Sequence, residues 1–357
     1  MVRPPATIRK SKRPVSCFCT TLGVFPGYHR AVAAPLLNRV LTAFQLTRVT
    51  LVFGAIGDIW FTILYTRSDD RYNYMPVFDE LSLFWALVAG AFVSIGLFAF
   101  ATSLNDLLDL RHDTAFSPQR PLPAGRIRSS QVVVITTSAL LVAMAAAVPF
   151  GTQGLMLAVF TAAVILFYNA AAKHVPAVGL LLAGLIHASQ MMIVNVQLAF
   201  TLPVWLVFTH SMVIASLVYR YEQKRPLIIG RTLIAVWIGW LAWSIVILGL
   251  GASKGAAAGF LPESMGMDTI VFPILAVIGF VILAWRKTMG TESSAAAEKL
   301  KRYGSMWQSI YAAAWLAGVG LWTEAFGMAL FAFVGFAIMT ILKEVNGLGS
   351  SPVGYRY

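Results

Sequence analysis

Nine residues, Asn105-Asp106-Leu107-Leu108-Asp109-Leu110-Arg111-His112-Asp113, follow directly on an apolar run long enough to cross a membrane. On a helix that turns about 100° per residue, Asn105, Asp106, Asp109 and Asp113 share one arc of roughly 100°. Leu107, Leu108 and Leu110 point elsewhere. Carboxylates this close repel one another unless a cation joins them. Hard oxygen donors of this kind suit Mg²⁺, which keeps several waters and shares itself with substrate phosphates. The competing reading is a solvated acidic helix end just outside the bilayer.

Next comes Ser117-Pro118-Gln119-Arg120-Pro121-Leu122-Pro123-Ala124-Gly125-Arg126-Ile127-Arg128. Three prolines and a glycine give this stretch the character of a shaped turn. It brings Arg120 and Arg126 back toward the acids, and arginine binds phosphate oxygens through a planar fork of donors. Carboxylates for Mg²⁺ beside arginines for an oxyanion describe a diphosphate site. Arg128 fits better as a membrane-flanking anchor.

The elements that must position these groups are membrane helices. The chain has 357 residues, 12% of them charged, and a mean hydropathy of +0.75. That composition marks an integral membrane protein. Apolar stretches near 41–66, 81–103, 131–150, 153–170, 176–200, 203–219, 232–252, 269–286, 305–323 and 325–343 are each about long enough to span ~30 Å of hydrocarbon. The last two are read as a hairpin turning around Glu324 and Gly327, since 39 residues exceed any single span. The expected fold is an all-α bundle of nine or ten transmembrane helices. Residues 1–40 are expected to form a flexible basic arm, 41–343 the membrane domain, and 344–357 a tail. Cys17 and Cys19 form neither a disulfide framework nor a zinc site.

Of 27 Lys and Arg residues, 23 fall in the arm, in alternate loops or in the tail. The positive-inside rule puts those loops in the cytoplasm, with a cell inner membrane as the expected location. The net charge of +12 thus reflects topology and contact with membrane lipids rather than a nucleic-acid partner. The polar loops at 104–130, 220–231 and 287–304 lie on that side, so a water-accessible site is expected there.

Some polar groups fall within the helices. Asp58 sits near the middle of the first, where a carboxylate is costly and faces a cavity or a partner. It is a candidate to orient an acceptor hydroxyl or to take its proton, and equally a candidate structural partner. Arg48, ~15 Å away along the helix, lies near the basic end and within reach of a phosphate. His187, Gln190, Asn195 and His210 read first as interhelical hydrogen-bonding residues.

The linked pattern Asn105-Asp106-x-x-Asp109-x-x-x-Asp113 and Arg120-Pro121-Leu122-Pro123-x-Gly125-Arg126 resembles the first signature of the UbiA superfamily of intramembrane prenyltransferases. The pattern of helices and loops extends the resemblance over roughly residues 40–323, and Tyr168-Asn169-Ala170-Ala171-Ala172-Lys173-His174 resembles the family's short basic loop. The resemblance implies a lipid-open central cavity and Mg²⁺ held by Asn105, Asp106, Asp109 and Asp113. It implies an isoprenoid diphosphate as donor and a lipid-soluble acceptor, aromatic or other. Arg48, Arg120, Arg126 and Lys173 become candidates for the diphosphate.

The family's second acidic motif is altered. In its place stands Leu217-Val218-Tyr219-Arg220-Tyr221-Glu222-Gln223-Lys224-Arg225-Pro226, with Glu222 its sole acid. Tyr219, Glu222, Lys224 and Arg225 are candidate substrate contacts. Either cations of this loop neutralise the diphosphate directly, or catalysis is lost. Three readings therefore stand: a prenyltransferase, a terpene cyclase on the same scaffold, and a non-catalytic lipid-binding or transport protein. The oligomeric state is not legible.

Overall fold

The computed structural model describes residues 52–72, 81–118, 120–223, 226–255, 261 and 265–349. Among them every regular element is a helix. The order is α1 (Phe53–Ser68), α2 (Leu83–Leu108), the short α3 (Leu110–Phe116), α4 (Ser129–Ala147), α5 (Gly151–Ala170), α6 (Pro176–Met191), α7 (Leu202–Tyr221), α8 (Arg231–Ser253), α9 (Val271–Thr288), α10 (Ser293–Gly318) and α11 (Trp322–Gly349). The fold is the expected all-α membrane bundle, and ten of these helices have sixteen residues or more. Six segments are long and apolar enough to cross a membrane, one of them the joined pair α4–α5. The chain is a multi-pass membrane protein.

The bundle is built around α1 and α10. Helix α10 packs on α1, α7, α9 and α11, while α1 also packs on α2 and α6. Helices α8 and α9 stand outside and turn bulky apolar side chains such as Trp237, Ile245, Ile274 and Val281 outward. Hydrocarbon is the expected solvent for such faces.

Two glycines set the central contact. A Cβ on Gly54 would lie 1.9 Å from the Ser305 carbonyl oxygen, and one on Gly57 would lie 2.5 Å from Ser309 Oγ. Small residues let two membrane helices approach this closely, so dispersion contacts and hydrogen bonds can do what the hydrophobic effect cannot do in lipid. Ser309 Oγ then donates to the Phe53 carbonyl at 3.0 Å.

Two expected elements differ. The helix expected over 176–200 stops at Met191. Residues 192–201 run irregularly but stay inside, with Ile193, Leu198 and Phe200 fully buried. Their polar groups find local partners. Ala199 N–H donates to the Tyr72 hydroxyl at 2.9 Å, Asn195 Nδ2 to Thr66 Oγ1 at 3.2 Å, and Gln197 N–H to Asn195 Oδ1 at 2.9 Å. Irregular backbone is tolerated at such depth only when protein covers it.

The hairpin between α10 and α11 turns at Val319–Leu321, not at Glu324 and Gly327. Gly320 takes φ +85°, Leu321 N–H bonds the Leu316 carbonyl at 2.9 Å and Gly320 N–H the Ala317 carbonyl at 3.0 Å. This is a Schellman ending with glycine in the left-handed position. Glu324 lies in the first turn of α11.

Candidate functional site

Helix α2 ends at Leu108, and α3 begins at Leu110. Asp109 is the joint, at φ −89° and ψ 5°. The hydrogen-bond ladder passes through it: Asp109 N–H bonds the Asn105 carbonyl at 2.9 Å, and Asp113 N–H bonds the Asp109 carbonyl at 2.8 Å. The i, i+4 relation therefore survives the joint, and the acidic arc stays on one side. On the other side Leu107 and Leu110 pack against Leu122 and Val132. That apolar patch fixes which way the carboxylates face.

The turn after α3 is shaped as its prolines require. Gly125 adopts φ +70°, and Arg126 N–H closes the turn on the Pro121 carbonyl at 3.0 Å. Leu122 is buried, so the turn folds down and carries Arg120 to the acids. Arg120 Nη1 donates to Asp113 Oδ2 at 2.5 Å and lies 3.6 Å from Asp106 Oδ1. The Asp106 and Asp113 side chains are only 5% and 4% exposed, so this guanidinium answers two charges that water does not reach. The Arg126 side chain lies in the same turn and is exposed.

The second cation comes from the loop between α5 and α6. Lys173 Nζ donates to Asp109 Oδ1 at 2.6 Å and to Asn105 Oδ1 at 3.1 Å. Two contacts place it. Asn169 Nδ2 donates to the Ala101 carbonyl at 3.4 Å and ties the end of α5 to α2. Gly179 lets α6 pass close to the lysine backbone, since a Cβ there would lie 3.0 Å from the Ala172 carbonyl oxygen. The structure thus joins Asn105, Asp106, Asp109, Asp113, Arg120 and Lys173 into one cluster.

In this arrangement the acids face cations rather than each other. Among the described residues, no group of three or more His, Cys, Asp or Glu side chains is set to hold a metal ion. The donor chemistry still suits a hard divalent ion: three carboxylates and an amide oxygen on one helical arc. Metal binding there requires Lys173 and Arg120 to move off the acids.

The altered second loop is arranged differently. Tyr219 Oη donates to the Pro226 carbonyl at 2.8 Å, which closes the loop on itself. Glu222 forms an ion pair with Lys301 of α10. Half-buried Tyr168, at the end of α5, lies within electrostatic reach of both Asp109 and Glu222, so the two loops border a common space. Arg48, Lys224 and Arg225 lie outside the described residues.

Asp58 is not brought to the cluster. Its Oδ2 lies 3.7 Å from His187 Nδ1 and makes no hydrogen bond. His187 is eleven residues into α6, or ~16 Å below the end where Lys173 sits. Gln308 Nε2 joins this deeper network, donating to Ser211 Oγ at 2.8 Å and lying 3.3 Å from His187 Nδ1. His210 forms a neighbouring contact, its Nε2 lying 2.9 Å from the Gly304 carbonyl oxygen. Gln190 donates to the Ala55 carbonyl at 3.3 Å and so bonds between helices as expected. Asn195 does so from the irregular segment rather than from a helix.

Lys301, Tyr168 and Gln308 are the polar residues that sequence reasoning did not single out for the site. Lys301 was counted among the positive charges flanking the membrane, and only the packing of α10 on α7 shows otherwise.

A helical bundle with lipid-facing outer helices and an acid-and-cation cluster at one end defines a class: a multi-pass membrane protein with a charged cluster at one end of its helices. The model of the UbiA prenyltransferase family matches residues 72–310, and the chain belongs to that family. A curated relative, digeranylgeranylglyceryl phosphate synthase from Methanosarcina barkeri (strain Fusaro / DSM 804), is 29% identical over 137 residues, 37% of this chain and 44% of the relative. The chain thus spans less than half of that relative's length. A solved structure described as giving insights into digeranylgeranylglyceryl phosphate synthase in membranes matches with a TM-score of 0.51 and 18% identity, over 78% of this chain and 98% of the other. This likeness supports the fold. An apo UbiA homolog from Aeropyrum pernix K1 matches over 72% of this chain and 95% of its own, at 18% identity and a TM-score of 0.44.

Proposed function

We propose that this protein transfers a prenyl group from an isoprenoid diphosphate to a lipid-soluble acceptor within the membrane. One observation carries the reading. Cations from two separate loops, Arg120 and Lys173, converge on one acidic arc at the end of an apolar bundle. An anion as dense as a diphosphate gives such cations a reason to be there.

Asn105, Asp106, Asp109 and Asp113 would hold Mg²⁺. The ion would neutralise charge growing on the leaving diphosphate. Arg120 and Lys173 exchange carboxylate for phosphate oxygen when substrate enters, and Arg126, exposed in the same turn as Arg120, adds positive charge there. The allylic C–O bond breaks and the electron pair leaves with the diphosphate; the acceptor's hydroxyl oxygen or aromatic carbon bonds the prenyl cation and gives up its proton to the departing diphosphate. The surrounding helices keep water from that cation. Asp58, ~16 Å deeper, is out of reach of the diphosphate. Its role is confined to the deeper polar network.

By the positive-inside rule, the concentration of Lys and Arg in alternate loops supports a site at the cytoplasmic face of the cell inner membrane. The name of the M. barkeri relative points to a glyceryl phosphate ether lipid as one acceptor class to test, beside aromatic head groups. The test is release of diphosphate from allylic prenyl diphosphates by purified protein. Release that requires Mg²⁺ and Asp109 supports the reading. No release from folded protein across a range of prenyl lengths and both acceptor classes would sink it.

A further inference from the structure

Helix α10 has a polar face that turns inward. Lys301, Ser305 and Gln308 stand three and four residues apart and so share one side. Gly54 of α1 meets the Ser305 carbonyl and Gln308, while Gln308 bonds Ser211 of α7 and lies beside His187 of α6. Lys301 is the end of that face nearest the acidic cluster. There it forms its ion pair with Glu222, which closes the described part of α7. Both partners keep water contact, with side chains 43% and 24% exposed. Tyr168 lies within electrostatic reach of both Glu222 and Asp109, so the pair is in the neighbourhood of the first cluster.

Glu222 is a poor metal ligand in this setting. It is the sole acid of residues 217–226, which also carry Arg220, Lys224 and Arg225. Its own charge is already answered by a lysine. A divalent ion here would find one carboxylate, already paired with the Lys301 ammonium, so local electrostatics oppose it. An incoming anion meets the opposite condition.

We propose that Lys301 is a diphosphate-binding residue. It leaves Glu222 when the anion enters, so this side of the site neutralises substrate with an ammonium group rather than with a metal ion. Glu222 then acts as the resting partner that holds Lys301 at the mouth. The inference rests on the prenyl diphosphate reading above and adds a residue from a helix outside both signature loops.

The test uses the full chain in detergent or nanodiscs, with inorganic diphosphate as the probe and calorimetric binding as the readout. Titrations are run with Mg²⁺ and with EDTA. Lys301→Met should weaken binding about tenfold in both conditions, a modest loss suited to a charge-assisted contact on a partly exposed side chain. Lys301→Arg should restore it. Glu222→Gln should tighten binding severalfold, because Lys301 no longer has to give up a charged partner.

The sign of the Glu222 effect decides between the two roles. Weaker Mg²⁺-dependent binding in Glu222→Gln would mark Glu222 as a metal ligand and overturn the proposal. Unchanged binding in a folded Lys301→Met protein would also overturn it. If Lys301→Met fails to fold, Glu222→Gln still decides. Wild-type protein that binds no diphosphate would remove the prenyl diphosphate reading as well. Binding that is lost in Asp109→Ala but kept in Lys301→Met would leave that reading standing and remove Lys301 alone.

Discussion

Replacing Asp109 by alanine separates catalysis from folding. Asp109 is at the α2–α3 joint, and its side chain is 25% exposed. Its backbone N–H and carbonyl carry the ladder through the joint whatever the side chain, so the helix path should persist. The stability cost comes from Lys173, 13% exposed, which loses its 2.6 Å partner and keeps Asn105 Oδ1 at 3.1 Å. A lost charge-assisted hydrogen bond with one partner remaining should cost about 1–2 kcal/mol. That is a few degrees in melting temperature for a chain of this size. Turnover should fall much further. Removing one preorganised stabiliser of leaving-group charge costs about 10²–10³ in rate, or ~3–4 kcal/mol. Diphosphate release and thermal melting on the same preparation give both numbers. A kcat/KM within about threefold of wild type, in protein that melts normally, would refute the assignment. Adding Lys173→Met tests the coupling. If both side chains serve one diphosphate, the double variant loses less than the two single losses combined.

Arg120→Lys should behave almost as Arg120→Ala, raising KM about tenfold, because an ammonium lacks the planar fork of donors that grips a phosphate; full activity in the lysine variant would contradict that role. Gly54→Val should lower the melting temperature by several degrees, since its Cβ would lie 1.9 Å from the Ser305 carbonyl oxygen and overpacking costs ~1–3 kcal/mol; an unshifted melt would mean α1 and α10 are not in close contact. Asp58→Asn should keep kcat/KM within about fivefold and leave stability nearly unchanged, because a carboxylate oxygen without a hydrogen bond gains little from its charge; loss of turnover would return Asp58 to the reaction. Asp69 supplies a pH test. Burial raises its pKa, but hydrogen bonds from Arg71 and Tyr65 outweigh burial, and the net shift is below the usual 3.8. A lowered folded-state pKa makes the stabilisation complete above the unfolded value and lost as pH falls through the folded one. Melting temperature should therefore drop more as pH falls below about 4 in wild type than in Asp69→Asn; parallel curves would count against the pair.

The sequence was most informative where one physical force acts alone. Hydrocarbon demands long apolar helices, so the spans at α2, α4, α5, α7, α8 and α9 were readable from composition. The Asn105–Asp113 arc was readable because a helix fixes its own angular order. Legibility failed where protein replaced lipid as the solvent. Residues 192–201 are as apolar as a helix, and their irregular path depends on a hydroxyl from Tyr72 and an amide from Asn195 that no local pattern reveals. The α10–α11 turn was readable from Gly318 and Gly320, but Glu324, a polar residue near an end of a long apolar run, competed with them. Asp58 drew attention because a mid-membrane acid is costly. Its neighbour His187 lies 129 positions away, and only the packing of α1 on α6 sets the pair ~16 Å from the cluster.

Charge balance explains why the cluster has the partners it has. Asp106 and Asp113 are too buried to be stabilised by water, and Asp109 is one turn away from both. Three uncompensated carboxylates in that space would repel one another. Arg120 and Lys173 offset that repulsion without a ligand, each by an ion pair with one of the acids. The same pairing sets a cost on substrate entry, since each cation must leave a carboxylate to reach a phosphate oxygen. A diphosphate arriving with a divalent ion resolves both demands together: the ion takes the carboxylates and the anion takes the released cations. Diphosphate without the ion, or the ion without diphosphate, resolves only one. Binding of the two should therefore be mutually cooperative, each tightening the other by the same factor, and calorimetric titration of either ligand in the presence and absence of the other measures that factor. Independent binding would mean that Arg120 and Lys173 stay on their carboxylates throughout and that the exchange does not occur.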